Sequence, residues 1–332
     1  MEVRSSCAEQ AGSRSRTLAE RVSKSRALCA EALREPSISA VGELLRAVNS
    51  GLLPEDPGLI DQTIALGKPS AGLVVWAARV DAAGIPQERR PLERLLLISA
   101  GLALLDRIEF LPVEESVRHL MCKEIALMAA PRDESLRHFA ISSPYFIVLC
   151  KIARGVRFPA GQHQFECSAF PGSWLARTPL HDVPKTLRFL LGAAHGVYPY
   201  FETHLAPPMH GVPVLLEREF QIAFYRMART LELQPRIKAL MAVGWMHSGE
   251  TYRVSPHLAF MNRPFEQARG LITNVGPASV NDGFLKGSPR RAELYSRGQF
   301  KPLRGLALCS RDQAIAWAAS RPNLAEVALR LA

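Results

Sequence analysis

The chain has 332 residues, of which 48% are hydrophobic and 22% are charged. These are ordinary proportions for a globular protein of about two domains, and they exclude a disordered chain, a collagen and a small disulfide-linked scaffold. The 41 Lys and Arg outnumber the 31 Asp and Glu, and the formal net charge of +10 favours an anionic partner.

The first half of the sequence is predicted to be helical. Residues 1–16 are polar, rich in Ser and Arg and without the apolar segment of a secretory signal, so we expect a flexible tail. In residues 17–155, apolar side chains recur at helical spacing, as they do from Val41 to Val48. The longest apolar run, Leu95 to Leu105, is too short to span a membrane and predicts a buried helix. Tyr145 to Ala153 is apolar throughout and predicts either a buried helix or a strand.

The second half, residues 156–332, changes character and is predicted to carry the functional site. Gly, Pro and aromatic residues alternate between 154 and 182, which indicates short strands and ordered loops. Farther along, the pattern predicts strands at Ile237–Trp245, Leu271–Val275 and Leu306–Cys309, and helices at Leu216–Leu231, Pro256–Arg269, Pro289–Ser296 and Arg311–Ala319. We therefore expect a fold between α+β and α/β, with a helical N-terminal half followed by a small sheet with flanking helices.

Cysteine usage and motifs narrow the functional class. The six cysteines are far apart and form no CxxC pair, which is typical of free thiols in a cytoplasmic protein. The sequence contains no GxGxxG, P-loop, HExxH or GxSxG motif. These absences disfavour Rossmann dehydrogenases, P-loop NTPases, zincins and typical α/β-hydrolases.

Residues with acid–base or metal-binding side chains are densest between positions 195 and 210, where they are His195, Glu202, His204 and His210. A helix predicted to begin at Asp182 places His195 on its apolar face, toward the core. Glu202 and His204 alternate with apolar neighbours, so both are expected on one side of an extended segment. Three interpretations remain open: a base oriented by a carboxylate, a metal site of His195, Glu202 and His204, or a structural polar network.

Two further groups are candidates for a site. His247 and Glu250 follow the predicted strand Ile237–Trp245, and α/β proteins place active-site groups at the carboxyl ends of strands. Arg290 and Arg291 begin a predicted helix and are expected to bind an anionic cofactor there. An ordinary strand exit and a charged surface are the alternatives.

The helical half also contains two Glu–His pairs at a spacing of four, Glu115 with His119 and Glu134 with His138. Residues four apart lie on one face of a helix, so two such pairs on facing helices predict a metal pair of the kind found in di-iron bundles. Both pairs are flanked by Arg, which favours ion pairs that face the solvent as the alternative.

The segment AELYSRGQF, Ala292 to Phe300, resembles an element of GNAT-type acyltransferases in which a helix carrying a Tyr precedes the last strands. The resemblance implies that Tyr295 is the general acid that protonates the leaving thiolate, and that the donor is acyl-CoA or an acyl carrier. The chain has no R/Q-x-x-G-x-G/A loop of the kind that binds the CoA pyrophosphate in that family. A Leu–Tyr pair packed on the core is the alternative.

These observations leave three functional hypotheses. The first is a cytoplasmic enzyme that transfers an acyl group to or from an anionic or carrier-bound small substrate, with His204 or His247 as base, Glu202 or Glu250 as its orienting carboxylate, Tyr295 as acid, and Arg290 and Arg291 as the anion site. The second is a helical non-haem iron oxygenase with Glu and His ligands. The third is a non-catalytic protein that binds nucleic acid or a protein through its basic C-terminal segment, where nine basic and four acidic residues follow position 280.

Overall fold

The computed structural model describes residues 18–48, 58–206, 215–285 and 288–332. The predicted tail and His210 lie outside these ranges. Within these ranges the chain forms two compact units, one of residues 18–48, 58–111 and 118–158 and the other of residues 112–117, 159–206, 215–285 and 288–332. The predicted division into domains at residues 155 and 156 stays a prediction. In the described ranges, none of the helices combines the length and apolarity needed to cross a bilayer.

The first unit is helical, as the sequence predicts. Its helices are α1 at residues 18–32, α2 at Pro36–Val48, α3 at Gly58–Leu66, α4 at Ala71–Ala82, α5 at Pro91–Leu105, α6 at Glu115–Ala129, which begins in the second unit, and α7 at Pro144–Ala153; short 3₁₀ helices lie at Ile108–Phe110 and Asp133–His138. The ambiguous apolar segment is a helix. The hydroxyl of Ser143 caps α7 by accepting from the Tyr145 amide, and Pro144 occupies the first turn, where it is well tolerated.

A buried ion pair fixes α5 within the first unit. The guanidinium of Arg94 is fully buried and donates to both carboxylate oxygens of Glu35 at 2.6 Å, and to the carbonyl of Ala129 at 2.5 Å. The hydrogen bond from Arg94 keeps the pKa of Glu35 below its ordinary value, against the opposing effect of burial. Both terminal nitrogens of the guanidinium are thereby paired, which offsets part of the cost of removing it from water.

The second unit is built on a mixed six-stranded sheet, so the fold is α+β. The strands are β1 at Arg157–Pro159, where the chain passes from the first unit to the second, β2 at His163–Ser168, β3 at Tyr200–Leu205, β4 at Ala239–Gly244, β5 at Leu271–Pro277 and β6 at Leu303–Ser310. Their order is β1-β2-β3-β4-β6-β5. β3 and β4 run parallel, whereas β2 with β3, β4 with β6 and β5 with β6 are antiparallel.

Helices connect and cover these strands. They are α8 at Gly172–Leu175, α9 at Val183–Arg188, α10 at Glu217–Leu233, α11 at Gly249–Val254, α12 at Arg263–Gln267, α13 at Pro289–Ser296, α14 at Arg311–Ala319 and α15 at Asn323–Arg330. The predicted bounds of α13 and α14 are confirmed. The long helix α10 joins the parallel strands β3 and β4, as such a connection requires.

The two faces of the sheet have separate cores. One face packs against the segment from Phe170 to Ala194, with Phe189, Leu190 and Tyr200 among the buried side chains. The other face is covered by α10, α12 and α14, where the ring of Phe224 lies 5.0 Å from Phe265 and 4.8 Å from Trp317. The buried guanidinium of Arg226 on α10 donates to Ser116 Oγ and to the carbonyls of Ala160 and Ala328, which ties three segments of this unit together.

The predicted apolar face of the helix after Asp182 is confirmed at Leu190 and Ala194 but not at Leu187 and Leu191, and the prediction that His195 faces the core is wrong. α9 ends at Arg188 and continues as one π-helical turn, Phe189–Ala193, whose wider spacing shifts which side chains point inward. Leu191 is 70% exposed whereas Leu190 is 2% exposed. His195 lies beyond this turn, exposed and in a left-handed backbone conformation with φ 52°.

Candidate active site

Glu202 and His204 leave the same face of β3, as the alternation in the sequence predicts. Phe201 and Thr203 are buried on the opposite face, whereas Glu202 and His204 are each half-buried. This placement sets an acidic and an imidazole side chain at the carboxyl end of a strand that pairs in parallel with β4. Carboxyl ends of parallel strands are where open sheets most often bind ligands.

The parallel pairing ends before either strand does. The register joins Tyr200 to Ala239 and continues to Thr203 with Ala242, after which His204 and Leu205 pair with β2 and Val243 and Gly244 pair with β6. The sheet therefore divides between β3 and β4 at their carboxyl ends. We refer to the space between residues 204–205 and residues 243–244 as the strand gap.

Glu166 on β2 is the carboxylate that lies beside His204. His204 Nε2 is 3.4 Å from Glu166 Oε1, and in the described part of the chain that nitrogen is buried without a hydrogen bond. Glu166 and Glu202 are paired across the two strands and share a face, so both carboxylates flank the imidazole. The site thus has an imidazole flanked by two carboxylates, with its Nε2 edge toward Glu166, so that a role as base would rest on Nδ1.

Sequence reasoning missed Glu166 because it considered the segment 195–210 alone. The signal was present in HQFECS, residues 163–168, where Gln164 and Glu166 alternate with an apolar Phe165. Antiparallel pairing of this strand with β3 places Gln164 opposite His204 and Glu166 opposite Glu202. The cross-strand pair is visible only once the register of the two strands is known.

His247 follows the carboxyl end of β4 but is held in a structural network. Its Nδ1 donates to Asn262 Oδ1 at 2.8 Å, and Asn262 Nδ2 donates back to the His247 carbonyl at 3.1 Å. Burial lowers the pKa of His247 to about 4, against the opposing effect of the Asn262 hydrogen bond. Glu250, the predicted orienting carboxylate, instead pairs with Arg253 at 3.1 Å. A neutral, deeply buried imidazole of this kind is a weak base.

A second buried imidazole lies at the start of β2. His163 is 3% exposed, packs 4.8 Å from the ring of Phe220, and has no hydrogen bond on either ring nitrogen within the described residues. Burial lowers the pKa of His163 to about 3, and the nearby His247 lowers it further in the same direction. Both imidazoles are therefore neutral at pH 7, on the face of the sheet opposite His204.

A glycine brings the turn after β4 onto β6. Gly305 pairs with Gly244, and a Cβ built at Gly305 would lie 2.2 Å from the carbonyl carbon of His247 and 2.5 Å from the Ser248 amide nitrogen. Only a residue without a side chain allows two backbones to approach so closely. The turn that carries His247 is therefore fixed against the sheet.

The two arginines of α13 are not placed together at one anion site. Arg291 is buried: its Nε donates to the Phe284 carbonyl at 2.6 Å and its Nη1 to Ser255 Oγ at 3.1 Å, and its guanidinium lies 4.8 Å from the centre of the Trp245 ring. Arg290 is exposed. Their binding of an anionic cofactor stays a prediction.

Two tyrosines are candidates for a proton donor. Tyr295 on α13 is 38% exposed and contacts the edge of Phe284, with ring centres 5.2 Å apart. Tyr252, which sequence reasoning missed, lies on α11 just after the carboxyl end of β4. Its hydroxyl is buried without a hydrogen bond in the described ranges, and burial raises its pKa. Its position in GETYRV, directly after the predicted strand, was the available signal.

The metal alternative finds no support. Among the residues the structure describes, no three His, Cys, Asp or Glu side chains form a group that could hold a metal ion. His195 precedes the amino end of β3 whereas His204 is at its carboxyl end, so about 13 Å of strand separates Tyr200 from His204.

The predicted solvent-facing Glu–His pairs of the helical half are also wrong, because both histidines are buried. His119 is 1% exposed and burial lowers its pKa to about 4, while His138 contacts Tyr145 with ring centres 4.7 Å apart. Buried imidazoles of this kind are held by packing, since a charged imidazolium is costly away from water.

Comparison by sequence matches the chain to no protein family and to no curated protein. Comparison with solved structures finds acyltransferases. One, in complex with decanoyl-CoA and teicoplanin, is 13% identical over 81% of this chain and 86% of its own, with a TM-score of 0.42. Another, in complex with CoA and 10C-teicoplanin, is 12% identical over the same shares at the same TM-score. A mutant acyltransferase in complex with octanoyl-CoA is 13% identical, with a TM-score of 0.35 over 76% of this chain and 87% of its own. These neighbours bind CoA or acyl-CoA, and at this identity and TM-score the likeness assigns neither a family nor a reaction to this chain.

Proposed function

We propose that this protein is an acyltransferase that moves an acyl group from a thioester of CoA, or of a carrier-bound pantetheine, to a nucleophilic acceptor at the strand gap. The observation that carries the proposal is the early end of the β3–β4 pairing, at Thr203 and Ala242, beside the His204–Glu166 pair. This combination places a gap lined by strand backbone next to an acid–base group.

The strand gap suits the arm of the donor. Pantetheine is an extended chain that carries amide groups, and an extended amide chain can bind between strand edges through main-chain hydrogen bonds. In the gap, β3 and β4 no longer bond to one another, so backbone groups of residues 204–205 and 243–244 face the space between them. The thioester at the end of the arm would then lie near the side chains at the carboxyl end of β3.

His204 is the base in this reaction. Its imidazole, oriented by Glu166, accepts the proton from the acceptor N–H or O–H as that nucleophile attacks the thioester carbonyl. Glu202, opposite Glu166 in the register, stabilises the imidazolium that forms. The C–S bond breaks as the new C–N or C–O bond is completed.

A phenol returns a proton to the departing thiolate, so that the products are the acylated acceptor and the free thiol. Tyr252 is the donor that we favour, because it follows the carboxyl end of β4 and its hydroxyl has no hydrogen bond among the described residues. Tyr295, the donor that the sequence resemblance implies, is the alternative. The acceptor, the anionic or carrier-bound character of the substrate, and the cytoplasmic setting stay predictions.

The test is direct. Titration of the purified protein with acetyl-, octanoyl- and decanoyl-CoA in a calorimeter should show saturable binding of at least one of them. With hydroxylamine or a panel of primary amines added, free CoA thiol should be released faster in the presence of the protein than in the same solution without it. The release is measured with a thiol reagent. A folded protein that binds none of the three thioesters contradicts the proposal.

A further inference from the structure

A cavity of about 650 Å³ lies in the second unit, at the other end of the strand pair from the strand gap. Pro199 and Lys238 in its wall directly precede β3 and β4, and Arg311 in its wall begins α14. We refer to it as the basic cavity, because three of its lining side chains are the cations Arg236, Lys238 and Arg311. Its volume is in the range of sites that enclose a small molecule.

The charge of the basic cavity is not balanced by its own carboxylates. Asp312 is the one acidic residue in its wall; that side chain is 87% exposed and lies 3.6 Å from Arg311 Nη1. Arg236 is exposed, and the described part of the chain gives it no ion pair. Three cations against one exposed carboxylate leave a formal charge of about +2 around the cavity, before any contribution from His195.

One guanidinium donor of the wall has no partner among the described residues. Arg311 Nε is buried and makes no hydrogen bond within the described residues, although a guanidinium N–H removed from water normally has an acceptor. The backbone amide of Arg311 is already used, because it donates to the Lys238 carbonyl at 2.8 Å. The binding capacity of the basic cavity therefore rests on side chains and not on the start of a helix.

Lys238 is held in place by the fold. The Lys238 amide donates to the Pro199 carbonyl at 2.9 Å, and Lys238 Nζ donates to the His195 carbonyl at 2.6 Å. Lys238 is thereby fixed between the start of β3, the start of α14 and the left-handed turn at His195. A preorganised cation loses less entropy when it binds an anion.

The remaining wall is apolar and partly flat. Tyr198, Pro199, Pro235 and Ile237 line it, and Tyr198 is 58% exposed. A phenol ring beside prolines offers surface to a ring or other apolar group. The ligand that matches the basic cavity therefore has a strongly anionic end and an apolar or aromatic body.

We propose that the basic cavity binds a phosphate monoester carried on an apolar or aromatic body. A phosphate monoester has a charge of about −1.5 to −2 at pH 7, which matches the local excess of about +2 more closely than the single charge of a carboxylate does. Arg236 and Arg311 bind the phosphate oxygens, Lys238 adds its charge, and the body of the ligand lies on Tyr198 and the prolines. This site is independent of the acyl transfer proposed at the strand gap.

Phenyl phosphate is the smallest probe with both features. Calorimetric titrations at pH 7 and low salt would compare it with inorganic phosphate, which lacks the ring, and with benzoate, which lacks the second charge. We expect phenyl phosphate to bind at least about tenfold more tightly than either, because it alone combines a ring with a charge of about −2. Equal binding of benzoate and phenyl phosphate, or binding of none of the three, overturns the proposal.

Variants locate the binding. Arg236→Gln combined with Arg311→Gln should weaken phenyl phosphate at least about tenfold, with folding checked by circular dichroism. Arg330→Gln removes the same kind of charge from an exposed position outside the cavity and should leave the affinity unchanged. An equal loss in Arg330→Gln would show attraction by net charge alone and would refute the site. His204→Ala should leave phenyl phosphate binding intact, so a failure at the strand gap is distinguishable from a failure here.

Discussion

At its carboxyl end the β3–β4 pair is bordered by Glu166, Glu202 and His204, whereas at its amino end it is bordered by Arg236, Lys238 and Arg311. His204 lies five positions after Pro199, so about 16 Å of strand separates this imidazole from the amino end. Charges this far apart at the protein surface are largely screened from one another. One short strand pair therefore presents an acid–base group at one end and an anion site at the other, and each can be altered alone.

The largest effect is expected from the carboxyl end. His204→Ala removes the base, and we expect the rate of thiol release with an added nucleophile to fall by about 10²–10⁴-fold, as is typical for loss of a general base. Binding of acyl-CoA should change little, because the strand gap itself remains. The rate is measured with a thiol reagent and the affinity by calorimetry.

Glu166→Gln is the matched companion of this variant, because it keeps the size of the side chain and removes the charge beside His204. A rate unaffected by both substitutions would show that the acid–base chemistry lies elsewhere. Glu202→Gln separates the contributions of the two carboxylates.

The helix α10 connects the carboxyl end of β3 to the amino end of β4, so loosening it should affect both ends of the strand pair. Arg226→Met leaves a buried hydroxyl and two buried carbonyls, those of Ser116, Ala160 and Ala328, without the guanidinium that bonds them. We expect a loss of about 3–5 kcal/mol in the free energy of unfolding, measured by denaturant titration. Arg229→Met, on the same helix with a side chain 40% exposed, serves as the control and should cost less than about 1 kcal/mol.

A smaller effect distinguishes the two phenols. Tyr252→Phe should slow thiol release by about 10–100-fold if its hydroxyl protonates the leaving thiolate, and Tyr295→Phe should then have little effect. The fold-decrease in rate should be larger for alkyl thioesters than for aryl thioesters, because an alkyl thiolate is the poorer leaving group and depends more on being protonated. The reverse order of effects would assign the proton donor to Tyr295.

The smallest effect concerns the buried imidazoles on the opposite face of the sheet. The folded-state pKa values of His163 and His247, about 3 and about 4, lie below the ordinary 6.5, so the unfolded chain binds protons that the folded chain does not. The contribution of the two neutral imidazoles to the free energy of unfolding is fully present above about pH 7. It is lost as the pH falls from about 6.5 toward 4.

His163→Leu should reduce the difference in the free energy of unfolding between pH 7 and pH 5 by about 1–3 kcal/mol, because Leu fills the space against Phe220 without a titrating group. Denaturant titrations at pH 7 and pH 5 measure the difference. An unchanged difference between the two pH values would show that His163 is not neutral in the folded protein.

The sequence predicts those elements whose bounds are set by interactions between residues close together in the chain. α13 and α14 were predicted with their observed bounds because Pro289 and the Ser310–Gln313 capping box mark helix starts within a few residues. The apolar run of β4 was predicted for a similar reason: a short apolar segment between turn residues reads as a buried strand.

The candidate site was predicted only in part, because it depends on strand register. Glu202 and His204 were placed on one face correctly, since alternation along a strand is local. Glu166 reaches them through pairing with a segment more than thirty positions away, which no local pattern reveals. The prediction for His195 failed because the helix ends in a π-helical turn, Phe189–Ala193, and His195 lies beyond it in a left-handed conformation.

The contact at Gly305 has a consequence for engineering. Because the backbone of His247 and Ser248 rests directly on this glycine, any side chain introduced there would displace the turn that closes one side of the strand gap. Directed evolution of a new acyl-chain preference should therefore keep position 305 constant and place its diversity on β2 and β3, whose side chains border the opposite side of the opening.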